Sequence, residues 1–142
     1  LEAETTSLLF VYGSLMSGGE RGNFLNRDHK VRFLGPATAQ GTLYDFGGFV
    51  GLTDEVKAAP VHGELYEVID EETFFATLDL IEGYSPAQPQ RSLYVRKHIP
   101  VQTATAIVQA WAYLYNQPVN DFPIITSGDY LQYRSNQSPV KP

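Results

Sequence analysis

The feature that most constrains this chain is the apolar run over residues 7–12, which stops abruptly at Gly13. Leu8-Leu9-Phe10-Val11-Tyr12 is too short for a buried helix and carries β-branched and aromatic side chains, so it reads as a buried strand. Gly13, Gly18, Gly19 and Gly22 then punctuate the chain, and the strand must break into a turn at Tyr12-Gly13-Ser14-Leu15. Successive N–H groups in such a turn can form a nest for an anion or for a developing oxyanion. The turn lacks a Walker lysine and the GxGxxG spacing, which argues against nucleotide phosphate. Ser14 lies in no G-x-S-x-G elbow and pairs with no evident His, so it is not read as a nucleophile. A tight turn that simply reverses the chain is the plainer alternative.

The rest of the chain reads mostly as strands. Residues 31–46 suggest two strands with bends at Gly35-Pro36 and Gly41, followed by a Gly47-Gly48 turn and a short strand from Phe49 to Thr53. Val61 to Ile69 alternates as a strand. Tyr94–Pro100 and Thr105–Tyr115 form two more. Arg21 to Arg27 is expected as a short helix with Phe24 and Leu25 inward, and Ile124 to Tyr133 as a last helical turn. The convincing helix starts at Asp70, a capping residue followed by Glu71 and Glu72 at the positive end of the dipole. Phe74, Phe75, Leu78 and Ile81 follow at helical spacing, and Gly83 is its natural stop. Ser85 to Ser92 holds two prolines and reads as a loop, and the polar tail from Ser135 to Pro142 is expected to fray. Residues 1–142 therefore read as one small α+β domain with a curved or closed sheet.

Composition narrows the function. The net charge of −6 argues against a nucleic-acid partner, which needs a basic face, and against an anionic membrane surface. There is no Cys, and His29, His62 and His98 show no ligand spacing. Thiolate catalysis and disulfides are thus excluded, and neither a metal nor a cofactor is expected. No apolar run reaches the ~18 residues of a spanning helix, and no signal peptide is recognised before the first strand. Cytoplasm is the expected location; oligomeric state is not readable.

One carboxylate stands out. Glu82 lies four residues after Leu78 and seven after Phe75, on the face of the apolar stripe. Burial and the negative helix end would both favour its protonated form, as a general acid–base residue requires. The plainer alternative is that the last turn twists outward and Glu82 is solvated. Asp70, Glu71 and Glu72 have capping work, and Asp79 reads as lying off the stripe, on the surface.

Taken in order, these segments resemble the γ-glutamylcyclotransferase-like superfamily, in its AIG2-like branch. The resemblance rests on Val11-Tyr12-Gly13-Ser14-Leu15, Gly22-Asn23 with Leu25, Gly41-Leu43-Tyr44, and Val61-His62-Gly63-Glu64-Leu65-Tyr66. It continues through Leu78-Asp79 with Glu82-Gly83, Tyr94-Val95-Arg96, Ala112-Tyr113-Leu114-Tyr115 and Ile125-Thr126-Ser127-Gly128-Asp129-Tyr130. It implies a small mixed β-barrel flanked by a few short helices. It also implies an enzyme that cleaves a γ-glutamyl amide into 5-oxoproline and a free amine. Tyr12, Gly13, Ser14 and Leu15 would bind the glutamyl group through their amides, and Glu82 would be the catalytic acid–base. Tyr94, Tyr113 and Tyr115 are further substrate-binding candidates; the role of Arg96 is open. A non-catalytic module binding a glutamyl group or 5-oxoproline in the same pocket, and a structural domain with a vestigial pocket, are the competing expectations.

Overall fold

The computed structural model describes residues 7–19, 24, 25 and 31–137. Its strands are β1 (Ser7–Val11), β2 (Val31–Ala39), β3 (Thr42–Asp45), β4 (Val50–Thr53), β5 (Val61–Val68), β6 (Tyr94–Gln102) and β7 (Ile107–Tyr115). Helices α1 (Glu71–Glu82) and α2 (Tyr130–Gln137) and a 3₁₀ turn at Pro89–Arg91 complete the described elements. The sheet runs β1-β5-β2-β6-β7-β4-β3, and β1 also pairs with β7. Strands β1, β5, β2, β6 and β7 thus close into a mixed barrel: the β1–β7 pairing is parallel, and the others in the ring are antiparallel.

Closure leaves two cores, because alternate residues of each strand face opposite sides. Phe10 and Tyr12 of β1 and the turn after it pack inside the barrel with Val61, Leu65, Val101, Ala110, Ala112 and Leu114. Leu9 and Val11 face outward and pack with Tyr66, Val68 and Tyr113 against Phe74, Phe75 and Leu78 of α1. Small residues inside make room for the rings of β1, as a narrow barrel requires. At Gly63 a Cβ would lie 2.6 Å from the Phe10 ring and would also meet the Val11 carbonyl.

The second core also buries the outer face of β5. Tyr66 and Val68 are both buried, because α1 covers the outer face there. Ile69 lies past the strand end and is exposed. The bend expected at Gly35-Pro36 is a register shift between Phe33 and Gly35, with Gly35 at φ 139°.

Helix α1 follows its local signals. The Asp70 carboxylate accepts from the Thr73 N–H at 3.5 Å, and Gly83 takes φ 73°. The Tyr84 N–H donates to the Asp79 carbonyl at 2.9 Å and the Gly83 N–H to the Leu80 carbonyl at 3.2 Å, the Schellman pairing that satisfies the last carbonyls. The stripe ends differently from expectation: Asp79 is buried at 7% exposure, whereas Ile81 is 44% exposed. Of the segment expected as a short helix at 21–27, only Phe24 and Leu25 are described, and Leu25 is buried. No helix among the described residues is long and apolar enough to cross a membrane.

A methyl group at position 63 must displace the Phe10 ring or the end of β1, so Gly63→Ala is expected to lower stability by about 1–3 kcal/mol. Gly48→Ala, where an added Cβ meets nothing within 4 Å, is expected to stay within about 0.5 kcal/mol of wild type. Urea unfolding of the two variants checks the contrast.

Candidate active site

The outer edge of β7 is shared. β1 pairs with it at Leu9 opposite Trp111, and β4 pairs with it at Leu52 opposite Leu114. Where β1 leaves the sheet, the Tyr12 hydroxyl spans the gap: it donates to the Tyr113 carbonyl at 2.6 Å and accepts from the Leu52 N–H at 3.2 Å. Tyr12 therefore fixes the point at which the chain turns out of the barrel.

The turn itself is tied from behind. The Met16 N–H donates to the Gly13 carbonyl at 3.0 Å and the Gly19 N–H to the Met16 carbonyl at 2.8 Å. Glu64 of β5 accepts from both the amide and the hydroxyl of Ser17 at 2.8 Å, and from the Tyr66 hydroxyl at 3.0 Å. None of these bonds uses the Gly13 or Leu15 amide. A Cβ on Gly19 would lie 2.8 Å from the Ser14 carbonyl carbon, so the fold-back needs glycine there.

In front of the turn lies a cavity of about 480 Å³, a size ordinary for a small-molecule site. Tyr12, Gly13, Ser14 and Leu15 line one part of it, and Ile81, Glu82 and Gly83 at the end of α1 line another. Phe49 from the β3–β4 turn, Val50 at the start of β4, Leu93, Tyr94, Tyr113 and Tyr130 supply further wall. Glu82 is the only charged residue lining it among the described residues, and it is partly buried. Seven of the eight residues singled out from sequence thus meet at one cavity. Tyr115 does not line it; its ring stacks on Phe46 at 4.0 Å and meets Tyr94 edge-on at 5.8 Å. Tyr94 is buried and its hydroxyl donates to the Val50 carbonyl at 2.5 Å, which ties the start of β4 to β6.

Asp79, Arg96 and Glu64 support this wall; the sequence reading put Asp79 on the surface, left the role of Arg96 open and gave Glu64 no role of its own. Asp79 is not a surface residue. Its Oδ1 accepts from the Tyr113 hydroxyl at 2.6 Å and from Arg96 Nε at 2.8 Å, and its Oδ2 accepts from Arg96 Nη2 at 3.1 Å. The Arg96 guanidinium lies 4.2 Å from the Phe75 ring centre and 4.5 Å from that of Trp111. Burial works to lower the affinity of Arg96 for its proton, but the Asp79 hydrogen bond and charge outweigh it and raise its pKa. Burial, then the Asp79 hydrogen bond and charge, push the Tyr113 phenol well above its usual range, and the Glu82 charge adds to the rise. Both carboxylates therefore act on one hydroxyl at the cavity wall. Glu64, the clamp on the turn, is the third. Signals existed for the first two: Asp79 is four residues after Phe75, and Arg96 stands directly opposite Tyr113 in the β6–β7 hairpin. Among the described residues no group of three or more His, Asp or Glu is placed to hold a metal ion.

Comparison with known proteins bears on the family of the chain. Residues 9–132 match the family model described as gamma-glutamyl cyclotransferase, AIG2-like. A Vibrio cholerae protein named "Putative gamma-glutamylcyclotransferase" is 33% identical over 127 residues, covering 88% of this chain and 96% of that protein. The crystal structure of an AIG2-like protein from Mus musculus superposes with TM-score 0.74 at 22% identity, over 98% of this chain and 97% of that one. YkqA from Bacillus subtilis superposes with TM-score 0.72 at 23% identity over 97% of this chain, which spans 44% of YkqA.

Tyr12→Phe keeps the ring and removes the hydroxyl from between β4 and β7. It is expected to cost about 1–3 kcal/mol, since it takes a partner from one buried donor and one buried acceptor. An unchanged urea midpoint would show that the hydroxyl does not hold this junction.

Proposed function

The chain belongs to the AIG2-like gamma-glutamyl cyclotransferase family, and we propose that it cleaves a γ-glutamyl amide into 5-oxoproline and a free amine, with Glu82 as the proton-transfer group. The observation that carries the reading is the meeting of one carboxylate, Glu82, with the Tyr12–Leu15 turn at a single cavity of about 480 Å³.

The nucleophile is the substrate's own α-amine. It attacks the γ-carbonyl carbon, a C–N bond closes a five-membered ring, and the amide C–N bond to the leaving amine breaks. Both reacting atoms belong to one molecule, so the cavity's main task is to hold the glutamyl group curled. Near neutral pH the α-amine is an ammonium and cannot attack. Glu82 takes one proton from it and passes one to the leaving nitrogen; the attacking nitrogen sheds a second proton as the lactam forms, and the amine departs with it as an ammonium, so the proton count balances and no covalent enzyme intermediate arises. The amides of the Gly13 turn receive the α-carboxylate or the oxygen that gains charge as the carbonyl is attacked. Tyr94 and Tyr113 are rigid walls, because both hydroxyls are already committed to Val50 and Asp79.

Incubation with γ-glutamyl amino acids, γ-glutamyl amines and glutathione, with mass-spectrometric detection of 5-oxoproline, tests the reaction. Product is expected for at least one compound, and Glu82→Gln is expected to form it about 10²–10⁴-fold more slowly while keeping its fold. Full activity in Glu82→Gln would remove Glu82 from the mechanism. Absence of product across the panel, with saturable 5-oxoproline binding, would support a binding module instead.

A further inference from the structure

The cavity in front of the Gly13 turn carries an apolar rim that the mechanism above leaves unused. Phe49, Ile81 and Leu93 all line it, yet they keep 43%, 44% and 38% of their surface in solvent. One exposed apolar side chain is ordinary, but several around one concave site mark a place where an apolar group binds. These three come from separate parts of the fold: the β3–β4 turn, the last turn of α1 and the segment leading into β6.

Each stands beside an element of the proposed glutamyl site. Phe49 precedes Val50, whose Cγ2 would lie 3.1 Å from a Cβ added to Gly13. Ile81 precedes Glu82 in the last turn of α1. The Leu93 N–H donates to the Gly83 carbonyl at 3.1 Å, and the Leu93 carbonyl accepts from the Asn116 N–H at 2.8 Å. The rim is therefore continuous with both the Gly13 turn and the end of α1. A volume of about 480 Å³ suits a drug-sized ligand rather than one amino-acid residue, so a glutamyl group leaves room for what it is bonded to.

The aromatic part of the rim is held in place before any ligand arrives. The Phe46 N–H donates to the Phe49 carbonyl at 2.9 Å, and the Gly47 N–H donates to Asp45 Oδ1 at 2.8 Å. Asp45 Oδ2 in turn accepts from the Tyr133 hydroxyl of α2 at 2.6 Å. The Phe49 ring lies 5.4 Å from that of Phe46 and 6.3 Å from that of Tyr115, and Phe46 meets Phe122 edge-on at 4.9 Å. Tyr115, which does not line the cavity, thus backs the ring that does. An anchor fixed in advance loses little freedom on binding.

We propose that Phe49, Ile81 and Leu93 form the subsite for the leaving amine, and that the preferred substrates are γ-glutamyl amides whose amine carries a bulky apolar group. The proposal rests on the reading of the cavity as a γ-glutamyl amide site. Covering the rim with an apolar group removes both surfaces from water, and the gain grows with the area covered. A polar group of similar length loses its own hydration there and gains less.

The γ-glutamyl amides of methylamine, isopentylamine and propanolamine test this, since the amines are of comparable basicity and differ in the group they carry. For the isopentylamide, kcat/KM is expected to be about 10–100-fold higher than for the methylamide. The propanolamide is expected to stay close to the methylamide. Phe49→Ser is expected to cut the isopentyl-to-methyl ratio about fivefold or more. Ile81→Ser, at the exposed end of α1, is expected to cut it too and serves alone if Phe49→Ser does not fold. Turnover without the preference, or a preference that both variants keep, overturns the subsite and leaves the reaction assignment standing. If no amide is cleaved, calorimetric Kd values for the same amides carry the comparison. Tighter isopentylamide binding that Phe49→Ser or Ile81→Ser weakens then upholds the subsite while the reaction assignment fails. Equal binding of the amides, or none, overturns the subsite.

Discussion

The cavity depends on a parallel contact that cannot continue. β1 reaches β7 at Leu9 opposite Trp111, and three residues further along β7 the same edge belongs to β4. Two strands cannot share one set of edge groups, so β1 must leave the sheet, and it does so at Tyr12. The hydroxyl of that residue fills the place a continuing strand would have taken, with one bond to each neighbour. The turn of Gly13, Ser14 and Leu15 is therefore a consequence of barrel closure rather than an independent loop. Glu64 and Ser17 secure its far side.

The second element of the site comes from the outer layer. The outward residues Leu9 and Val11 of β1, Tyr66 and Val68 of β5 and Tyr113 of β7 are buried where α1 covers them. A helix laid on a barrel wall brings its C-terminal turn to the rim where β1 departs, and Glu82 is the residue at that end. Burial of Asp79 and Arg96 beside it is costly unless every polar atom finds a partner. Here both carboxylate oxygens, the guanidinium fork and the Tyr113 hydroxyl are matched. Such an arrangement is weak as a source of stability and strong as a constraint on geometry, since loss of one member strands the others.

Much of this was legible in the sequence where the signal was local. The strand ending at Gly13, the Asp70 cap, the Gly83 stop and the position of Glu82 all follow from short patterns, and the structure brings Tyr12–Leu15, Tyr94, Tyr113 and Glu82 to one cavity. What stayed hidden depends on contacts between elements. Asp79 looked like a surface residue because a charged side chain on a helix face is ordinarily solvated, and its partner lies on a strand seventeen residues on. Alternation along β5 does not say that both of its faces are buried at Tyr66 and Val68, which follows only from the cover that α1 provides. Tyr115 shares a strand face with Tyr113 but sits two residues nearer the aromatic cluster of Phe46, which takes its ring. The helix expected at 21–27 lies mostly outside the described residues.

The Gly13 turn and the end of α1 are proposed to form one binding site for a glutamyl group. Titration of the ¹⁵N-labelled protein with 5-oxoproline, followed by amide chemical shifts, tests it most directly. Saturable shifts are predicted at Gly13, Ser14, Leu15, Glu82 and Gly83 together, fitting one dissociation constant. Shifts centred elsewhere, or shifts at the turn and the helix end that fit different constants, would contradict it.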